Sequence, residues 1–496
     1  MLRSPAVQDA ARRPGDRAVS NERALRDGSR RTQAASRAPS SSANRHVFDT
    51  ALPCDRRIAS VIFTIELMFM ATNFRSSLVV LSLAALASVG ACKPKAAKQE
   101  DRTEILIGAT LPLTGAEARI GGFFKEGYEL AFDEVNQAGG LEVGGKKLPV
   151  KLSLNDDTST QATAVSLADK LINRDKVDFL LGTYSTSLVE AQSTVAEQNK
   201  VPYVNGGGAA SEIYKRGYKY IFGALSPVEL LGGTLMSWID EQQQAGKLGK
   251  PAKIALLWEN TAHGKDFRKG VSDFVAKSAG GYELVIDESF ELNGKDFSAL
   301  LGKVKAAGAE IFLADAHLPD YITLHRQYID AGLCHKVVSY GARGSEKAAI
   351  EALGSENASY VLSGVWWSAQ LADSLPLAKK FVDAFKAKFG GRSPEWFQAL
   401  GYESARALFT AIKQAGSLDR EAVRAKLATL KMESLLPGGT LEFPADKGNE
   451  VQNLFVVQQN LPNQNAPIIY PKDVAKVAGI APNPRCASTP TPTPTP

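Results

Sequence analysis

A short run of hydroxyl residues is the first candidate for chemistry in this chain. Tyr184-Ser-Thr-Ser187 stands where an apolar strand pattern ends and a helical pattern begins. Hydroxyl groups and backbone N–H groups at a helix N-terminus suit a carboxylate, which makes Tyr184, Ser185 and Thr186 candidate ligand-binding residues. An ordinary helix cap is the alternative interpretation of the same residues.

A glycine run follows one strand later, at Asn205-Gly-Gly-Gly-Ala-Ala210. Glycine lets a backbone approach a ligand closely, so Gly207, Gly208 and Ala209 are candidates, with the Gly208 amide as a donor. A tight turn explains these glycines equally well.

Three further side chains have types that could bind a solute, namely His263, His317 and Arg343. A lone histidine is more often a surface or core residue, and an arginine is mostly exposed. No His, Cys or Asp cluster has metal-ligand spacing, so we expect no metal and no cofactor. The absence of a Gly-x-Ser-x-Gly motif and of a phosphate-binding loop argues against an exported enzyme.

Cys92 ends an export-signal pattern. Arg75 precedes an apolar run, and Val89-Gly-Ala-Cys92 brings small residues directly before the cysteine, as a signal peptide requires. The run is shorter than the ~20 apolar residues of a spanning helix. Its ending resembles a bacterial lipobox, which predicts a signal over 68–91, a lipidated Cys92, a tether over 92–102 and a periplasmic protein held at the membrane by lipid alone.

The region before this signal lacks the sequence patterns of a folded part of the mature protein. Residues 1–67 contain twelve Arg and no Lys, without a sustained period of 2 or 3.6. Met68 or Met70 would make a conventional start, so we expect residues 1–67 to be absent from the mature protein. A transit peptide is the alternative, against which Asp9 and Asp16 argue.

Composition limits the function of the remaining chain. Residues 1–91 carry 13 Arg and 7 acidic residues, so the whole-chain charge of +5 becomes −1 without them, from 45 Lys and Arg against 46 Asp and Glu. This balance gives no basic footprint for nucleic acid. About 400 residues fit two domains. Cys334 and Cys486 remain as a pair that can be oxidised in an exported protein, and the sequence leaves that pairing open.

Strand and helix patterns alternate along the chain, which predicts parallel sheets covered by helices in two α/β lobes with a cleft between them. The predicted strands are Ile105–Ala109, Val150–Asn155, Val177–Leu181, Pro202–Asn205, Lys253–Trp258, Glu283–Phe290, Glu310–Ala314 and Val337–Tyr340. The predicted helices are Gly122–Ala138, Thr160–Arg174, Thr186–Asn199, Gly264–Ala279, Phe297–Ala307 and Pro319–Ala331. Residues 481–496 end in a Thr-Pro repeat and are expected to form an extended, disordered tail.

Several segments, in this order and spacing, resemble the branched-chain-amino-acid-binding proteins of bacterial ABC transporters, the type I periplasmic binding family. They are Ile107–Gly115, Gly127–Ala131, Val135–Gly140, Asn155–Thr158, Leu181–Ser187, Asp296–Leu300 and Gly401–Ser404. The resemblance implies two Rossmann-like lobes joined by three crossover strands, near Phe222–Pro227, Val365–Ser368 and Leu441–Asn449. One lobe would comprise 103–223 and about 368–440, and the other 224–367 and about 441–480.

The resemblance also implies roles for individual residues. Ser185 matches the residue that holds the ligand carboxylate, His263 takes the place of a pocket aromatic, and a hydroxyl residue usual near Ala209 is missing. Arg343 is the largest departure from the family pattern, because relatives often have an acidic residue at this position to bind the ligand ammonium. An arginine would bind a carboxylate instead, which favours an aromatic or dicarboxylic acid; an alignment slip would make Glu346 the candidate.

Aromatic side chains complete the expected site. Trp258, Tyr184 and one of the adjacent Trp366 and Trp367 could form apolar walls, since neighbouring strand residues face opposite sides. The function implied is an extracytoplasmic solute-binding protein for an amino acid or related small carboxylate, monomeric and partnered with a membrane permease. A ligand sensor of the same fold, without transport, is the alternative.

Overall fold

A computed structural model of the chain describes residues 102–488. The predicted signal peptide, Cys92, the tether up to 101 and the repeat from 489 onward lie outside the described residues. The strands are β1 (Ile105–Leu111), β2 (Leu141–Val143), β3 (Lys146–Leu148), β4 (Val150–Asp156), β5 (Phe179–Leu181), β6 (Tyr203–Asn205), β7 (Ile221–Gly223), β8 (Ala252–Glu259), β9 (Tyr282–Phe290), β10 (Ile311–Asp315), β11 (Val337–Ser339), β12 (Val361–Val365), β13 (Lys431–Glu433), β14 (Thr440–Glu442), β15 (Val456–Gln459) and β16 (Ile468–Tyr470). The helices are α1 (Ala118–Gln137), α2 (Gln161–Asn173), α3 (Thr186–Gln198), α4 (Val228–Gln244), α5 (Ala262–Lys277), α6 (Ser298–Ala307), α7 (Leu318–Asp330), α8 (Lys347–Leu353), α9 (Pro376–Lys388), α10 (Trp396–Ala415) and α11 (Arg420–Leu427).

The first lobe is built on a five-stranded parallel sheet with the order β4-β1-β5-β6-β7. Its central strands are short apolar runs that are buried along their length, such as Phe179–Leu181. Strands covered by helices on both faces need such continuous apolar sequences. The carboxyl ends of β5 and β6 therefore bring the hydroxyl run and the glycine run to one edge of the sheet.

The second lobe has a seven-stranded sheet with the order β9-β8-β10-β11-β12-β15-β16. The first five of these strands are parallel, whereas β15 and β16 pair antiparallel. The carboxyl ends of β8, β10 and β11 precede His263, His317 and Arg343 respectively. All three candidate residues therefore lie at the same edge of this sheet.

The chain passes between the two lobes three times, through 224–227, 366–368 and 443–455. These segments are irregular rather than strands, apart from an isolated parallel bridge between Gly223 and Glu450. The third passage ends later than the predicted Leu441–Asn449, because β15 begins only at Val456. Two of the passages are tied together, since the Trp366 indole donates to the Ser226 carbonyl at 2.8 Å.

Helix α10 returns to the first lobe and packs closely on α1. A Cβ at Gly127 would lie 2.3 Å from the Gln398 carbonyl oxygen, so only glycine permits this approach. The packing brings the start of α10, with Trp396 and Phe397, to the edge of the first lobe that faces the second. Within residues 102–488, no helix is both long enough and apolar enough to cross a membrane.

The C-terminal segment corrects one prediction. The predicted disordered tail over 481–496 is wrong for residues 481–488, because the Asn483 amide donates to the Lys336 carbonyl at 2.8 Å and Cys486 is disulfide-bonded to Cys334. The pairing that the sequence left open is therefore present. Composition identifies the Thr-Pro repeat but not the covalent bond that fastens the residues before it.

Candidate functional site

A cavity of about 440 Å³ lies between the sheet edges of the two lobes. Such a position, outside the carboxyl ends of parallel strands, is where α/β folds bind ligands. The structure brings eight of the nine predicted residues to its wall, namely Tyr184, Ser185, Thr186, Gly207, Ala209, His263, His317 and Arg343. Gly208 is the exception.

Ser185 occupies the N-cap position of α3, as the capping interpretation requires, but its side chain makes no capping hydrogen bond. The hydroxyl is half-buried and lines the cavity. Thr186 is engaged differently, because its hydroxyl accepts the Ala209 amide at 3.3 Å. Ser185 and Ser187, which both line the cavity, therefore have hydroxyls that can turn to a solute.

The glycine run supplies shape rather than the expected donor. A Cβ at Gly207 would lie 2.1 Å from the Thr183 carbonyl oxygen, so glycine is needed for the two loops to meet. The Gly208 amide donates to Asn205 Oδ1 at 3.0 Å and its carbonyl accepts the Tyr214 hydroxyl at 2.7 Å. The assignment of Gly208 as an amide donor to the ligand is therefore wrong, since the loop itself uses that N–H group.

His263 and His317 form a pair on the second lobe, with ring centroids 6.1 Å apart. His263 Nδ1 is 2.8 Å from Asp315 Oδ2, and His317 Nδ1 is 2.6 Å from Glu259 Oε2. Both carboxylates are buried, with Glu259 fully so. Each ring is thus oriented by its own carboxylate, as in histidines whose second nitrogen serves a site.

These contacts decide the protonation of the pair. Burial by itself lowers the pKa of His317, but the adjacent Glu259 carboxylate outweighs it and raises that pKa to about 9. Burial also lowers the pKa of His263, but the adjacent Asp315 carboxylate outweighs the effect of burial. The pKa of His263 is therefore raised as well. The pKa of Glu259 is lowered because the charge of His317 overcomes its own desolvation. His317 is therefore cationic at neutral pH, and the buried carboxylate beside His263 favours the cationic form of that ring as well.

This raised pKa predicts a pH dependence of stability. Because the pKa of His317 rises from 6.5 to about 9 on folding, its contribution is complete below the lower value and is lost as pH rises through the upper one. We expect the free energy of unfolding to fall between these values, by at most about 3 kcal/mol. Glu259, Arg343 and Glu117 are the other charges acting on this ring, and His317 and His263 repel each other.

Urea unfolding of the wild type and of His317→Gln across this pH range measures the effect. The variant should show a smaller decline, the remainder coming from His263. An equal decline in both proteins would mean that His317 does not carry the dependence.

Arg343 is buried, with 7% of its surface exposed, which excludes the solvent-exposed interpretation. It reaches from the second lobe into a cup of first-lobe rings, with its guanidinium carbon 5.2 Å from the centroid of Phe397, 5.6 Å from that of Trp396 and 6.0 Å from that of Tyr184. A guanidinium over aromatic faces is attracted by their quadrupoles. Its Nη2 also donates to the Tyr184 hydroxyl.

Glu346, the alternative partner for a ligand ammonium, is committed to protein cations. Its carboxylate accepts from Arg343 Nη1 and from Arg119 Nη2, and the residue is buried. Arg119 belongs to α1 of the first lobe. The four side chains of Arg119, Glu346, Arg343 and Tyr184 therefore form a continuous polar chain across the cleft, which we call the interlobe chain.

The aromatic walls differ in part from expectation. Trp366 lines the cavity, whereas Trp367 packs on Phe381 with ring centroids 5.4 Å apart. Trp258 does not line it, because its indole turns outward to Asp287 Oδ1 at 2.9 Å. Trp396 lines it and contacts Trp366 at a centroid distance of 4.7 Å.

The fold also assembles a group that sequence spacing does not show. Glu259, His263 and Asp315 each place a donor atom within 4.8 Å of the others, a geometry that could hold a metal ion. His263 Nδ1 and Asp315 Oδ2 are hydrogen-bonded to each other, so a metal would have to displace that proton. We assign no metal ligands here, and the absence of a metal stays a prediction.

The wall residues that sequence reasoning missed include Glu117, Glu190, Glu259 and Trp396. Glu117 stands at the N-cap of α1, directly after the turn that follows β1. Glu259 is the last residue of β8, where the end of a parallel strand was already a signal for the site. Trp396 has no such signal, since it starts a helix far along the chain.

Comparison with known proteins gives related sequences and folds. Residues 104–465 match the model of a family described as periplasmic binding protein. The Leu/Ile/Val-binding protein homolog 7 of Brucella suis biovar 1 is 26% identical over 409 residues, which cover 81% of this chain and 98% of the relative.

Two solved structures illustrate the shared fold. One is the branched-chain amino acid transporter substrate binding protein LivJ from Streptococcus pneumoniae in complex with isoleucine (TM-score 0.63, 23% identity, 74% of this chain and 98% of that one). The other is an ABC transporter solute binding protein from R. palustris in complex with benzoate (TM-score 0.60, 20% identity, 75% and 100%). The two-lobe α/β fold predicted from the sequence is thereby confirmed.

Proposed function

Since the chain belongs to the periplasmic binding protein family, we propose that it captures an amino acid or related small carboxylate and delivers it to the permease of an ABC importer. The observation that carries this proposal is the cavity between the lobes, with Ser185 and the start of α3 in its wall. The positive end of the helix dipole and the hydroxyl both favour a carboxylate there.

Capture is by closure of the two lobes about the three passages that join them. Walls from both lobes are needed to surround the solute, and hinge motion about such connections is a common way to achieve this. The interlobe chain supports the closed arrangement, because Arg119 and Tyr184 belong to one lobe and Glu346 and Arg343 to the other.

The surroundings of the mature protein are part of the proposal. Cleavage of the predicted signal before Cys92, with lipidation of that cysteine, would hold the protein outside the cytoplasmic membrane as a monomer. The Cys334–Cys486 disulfide supports an oxidising compartment. No catalytic role is proposed.

Thermal unfolding of the purified protein with separate amino acids, aromatic acids and aliphatic acids tests the function. A solute at ~100 times its dissociation constant adds about 2.7 kcal/mol and raises the unfolding midpoint. The bound compound should be recovered unchanged. A midpoint that no carboxylate raises would contradict the proposal.

Ser185→Ala should weaken binding of the stabilising compound by about 1–3 kcal/mol, because it removes a hydrogen bond to a buried charge. Titration calorimetry measures this loss. Ser187→Ala, whose side chain also lines the cavity, tests whether the second serine of the run contributes. An unchanged affinity in Ser185→Ala would remove the hydroxyl from the site.

A further inference from the structure

We propose that the solute carries two anionic groups, and that His263 and His317 hold the second of them on the wall of the second lobe. This inference rests on the proposed function, which places the first carboxylate at Ser185. It names the substrate class as dicarboxylates.

The two imidazoles form a built donor pair. Each Nδ1 is occupied by a separate buried carboxylate, Asp315 for His263 and Glu259 for His317. The hydrogen bonds of residues 102–488 leave each Nε2 without a protein partner, and both rings line the cavity. Each Nε2 is therefore available to a group that enters the cavity.

The two rings are tilted by 53° with their centroids 6.1 Å apart, so each imidazole can donate to one of the two oxygens of a carboxylate. Charge-assisted hydrogen bonds of this kind are stronger than neutral ones. The carboxylates behind the rings hold their orientation, so little side-chain freedom is lost on binding.

Two buried acids of the second lobe, Glu259 and Glu346, do not favour a solute ammonium at this wall. Glu259 Oε1 accepts the Thr261 hydroxyl at 2.8 Å, and Oε2 accepts both the ring and the backbone amide of His317. Glu346 is held by two arginines. Protein donors thus already engage both of these carboxylates of the second lobe.

Two further acids, Glu117 and Glu190, line the cavity from the first lobe, and a change at Glu117 distinguishes the alternatives. Glu117 acts electrostatically on both His317 and Arg343. For a solute with an ammonium group it would be the partner, and its loss would weaken binding. For a dianion it is a repelling charge, and Glu117→Gln should strengthen binding.

The experiment compares matched acids by titration calorimetry at neutral pH: benzoate with terephthalate, and butyrate with glutarate and adipate. We expect a dicarboxylate to bind at least about tenfold tighter than its matched monocarboxylate, the effect of one charged hydrogen bond. In His263→Gln and in His317→Gln this ratio should fall towards one. In Glu117→Gln the dicarboxylate should bind tighter than in the wild type.

The outcomes separate this inference from the proposed function. Equal binding of mono- and dicarboxylates, or tight binding of an amino acid that Glu117→Gln weakens, overturns the dicarboxylate assignment and leaves carboxylate capture intact. Failure of every acid to bind overturns both. If the histidine variants do not fold, the wild-type comparison of matched acids and the Glu117→Gln variant still test the dicarboxylate assignment. Both experiments leave the histidine–carboxylate pairs in place.

Discussion

Arg343→Met should lower the free energy of unfolding by about 3–5 kcal/mol, because it removes one partner from a buried ion pair. Arg343 is buried, bonds Glu346 and the Tyr184 hydroxyl, and lies against three aromatic rings. Methionine keeps much of the apolar stem but neither the charge nor the donors. Urea unfolding at neutral pH measures the loss.

A double-mutant cycle with Glu346→Gln assigns the effect to the pair. The double variant should be more stable than the sum of the two single losses implies, because no buried charge is left unpaired. Tyr184→Phe, which removes only one neutral acceptor, should cost less. A loss in Arg343→Met near that of an exposed substitution would show that Arg119 alone satisfies Glu346.

Replacing Cys334 and Cys486 together by serine should lower the free energy of unfolding by about 2–5 kcal/mol. The bond joins residues 152 positions apart, and a long closed loop restricts the unfolded chain strongly. It also fastens the C-terminal segment, where Arg485 donates to the Glu356 carbonyl at 2.6 Å. Guanidinium unfolding of the wild type and the double variant, both without reductant, gives the difference.

Addition of a reductant supplies the matched control. It should bring the wild type to the stability of the double variant and leave that variant unchanged. The single variant Cys486→Ser should resemble the double variant. Equal stability of all five samples would mean that the bond contributes nothing beyond the packing around it.

The elements of the fold follow from local sequence, because short apolar runs and amphipathic periods are local properties. The strands predicted at Ile105–Ala109 and Lys253–Trp258 are β1 and β8 within two residues at either end. Helix α4 escaped prediction, although the chain there enters the second lobe. It follows the first passage between lobes, where the strand–helix rhythm is interrupted.

The site was predictable where strand ends identify it and not where distant segments meet. Ser185, His263 and His317 each follow a strand, which is why their placement could be inferred. The cup around Arg343 combines Tyr184 with Trp396, more than two hundred residues along the chain, and only the packing of α10 on α1 brings them together. The loss of the Gly208 amide to Asn205 depends on a turn geometry that glycine content does not specify.

The interlobe chain consists of protein atoms alone, so its free energy favours closed lobes whether or not a solute is present. Every 1.4 kcal/mol in these contacts changes the ratio of closed to open receptors about tenfold. A permease that recognises closed lobes would then also meet unloaded receptors. The strength of the contacts among these four side chains would thus set how often a closed protein without solute reaches the permease.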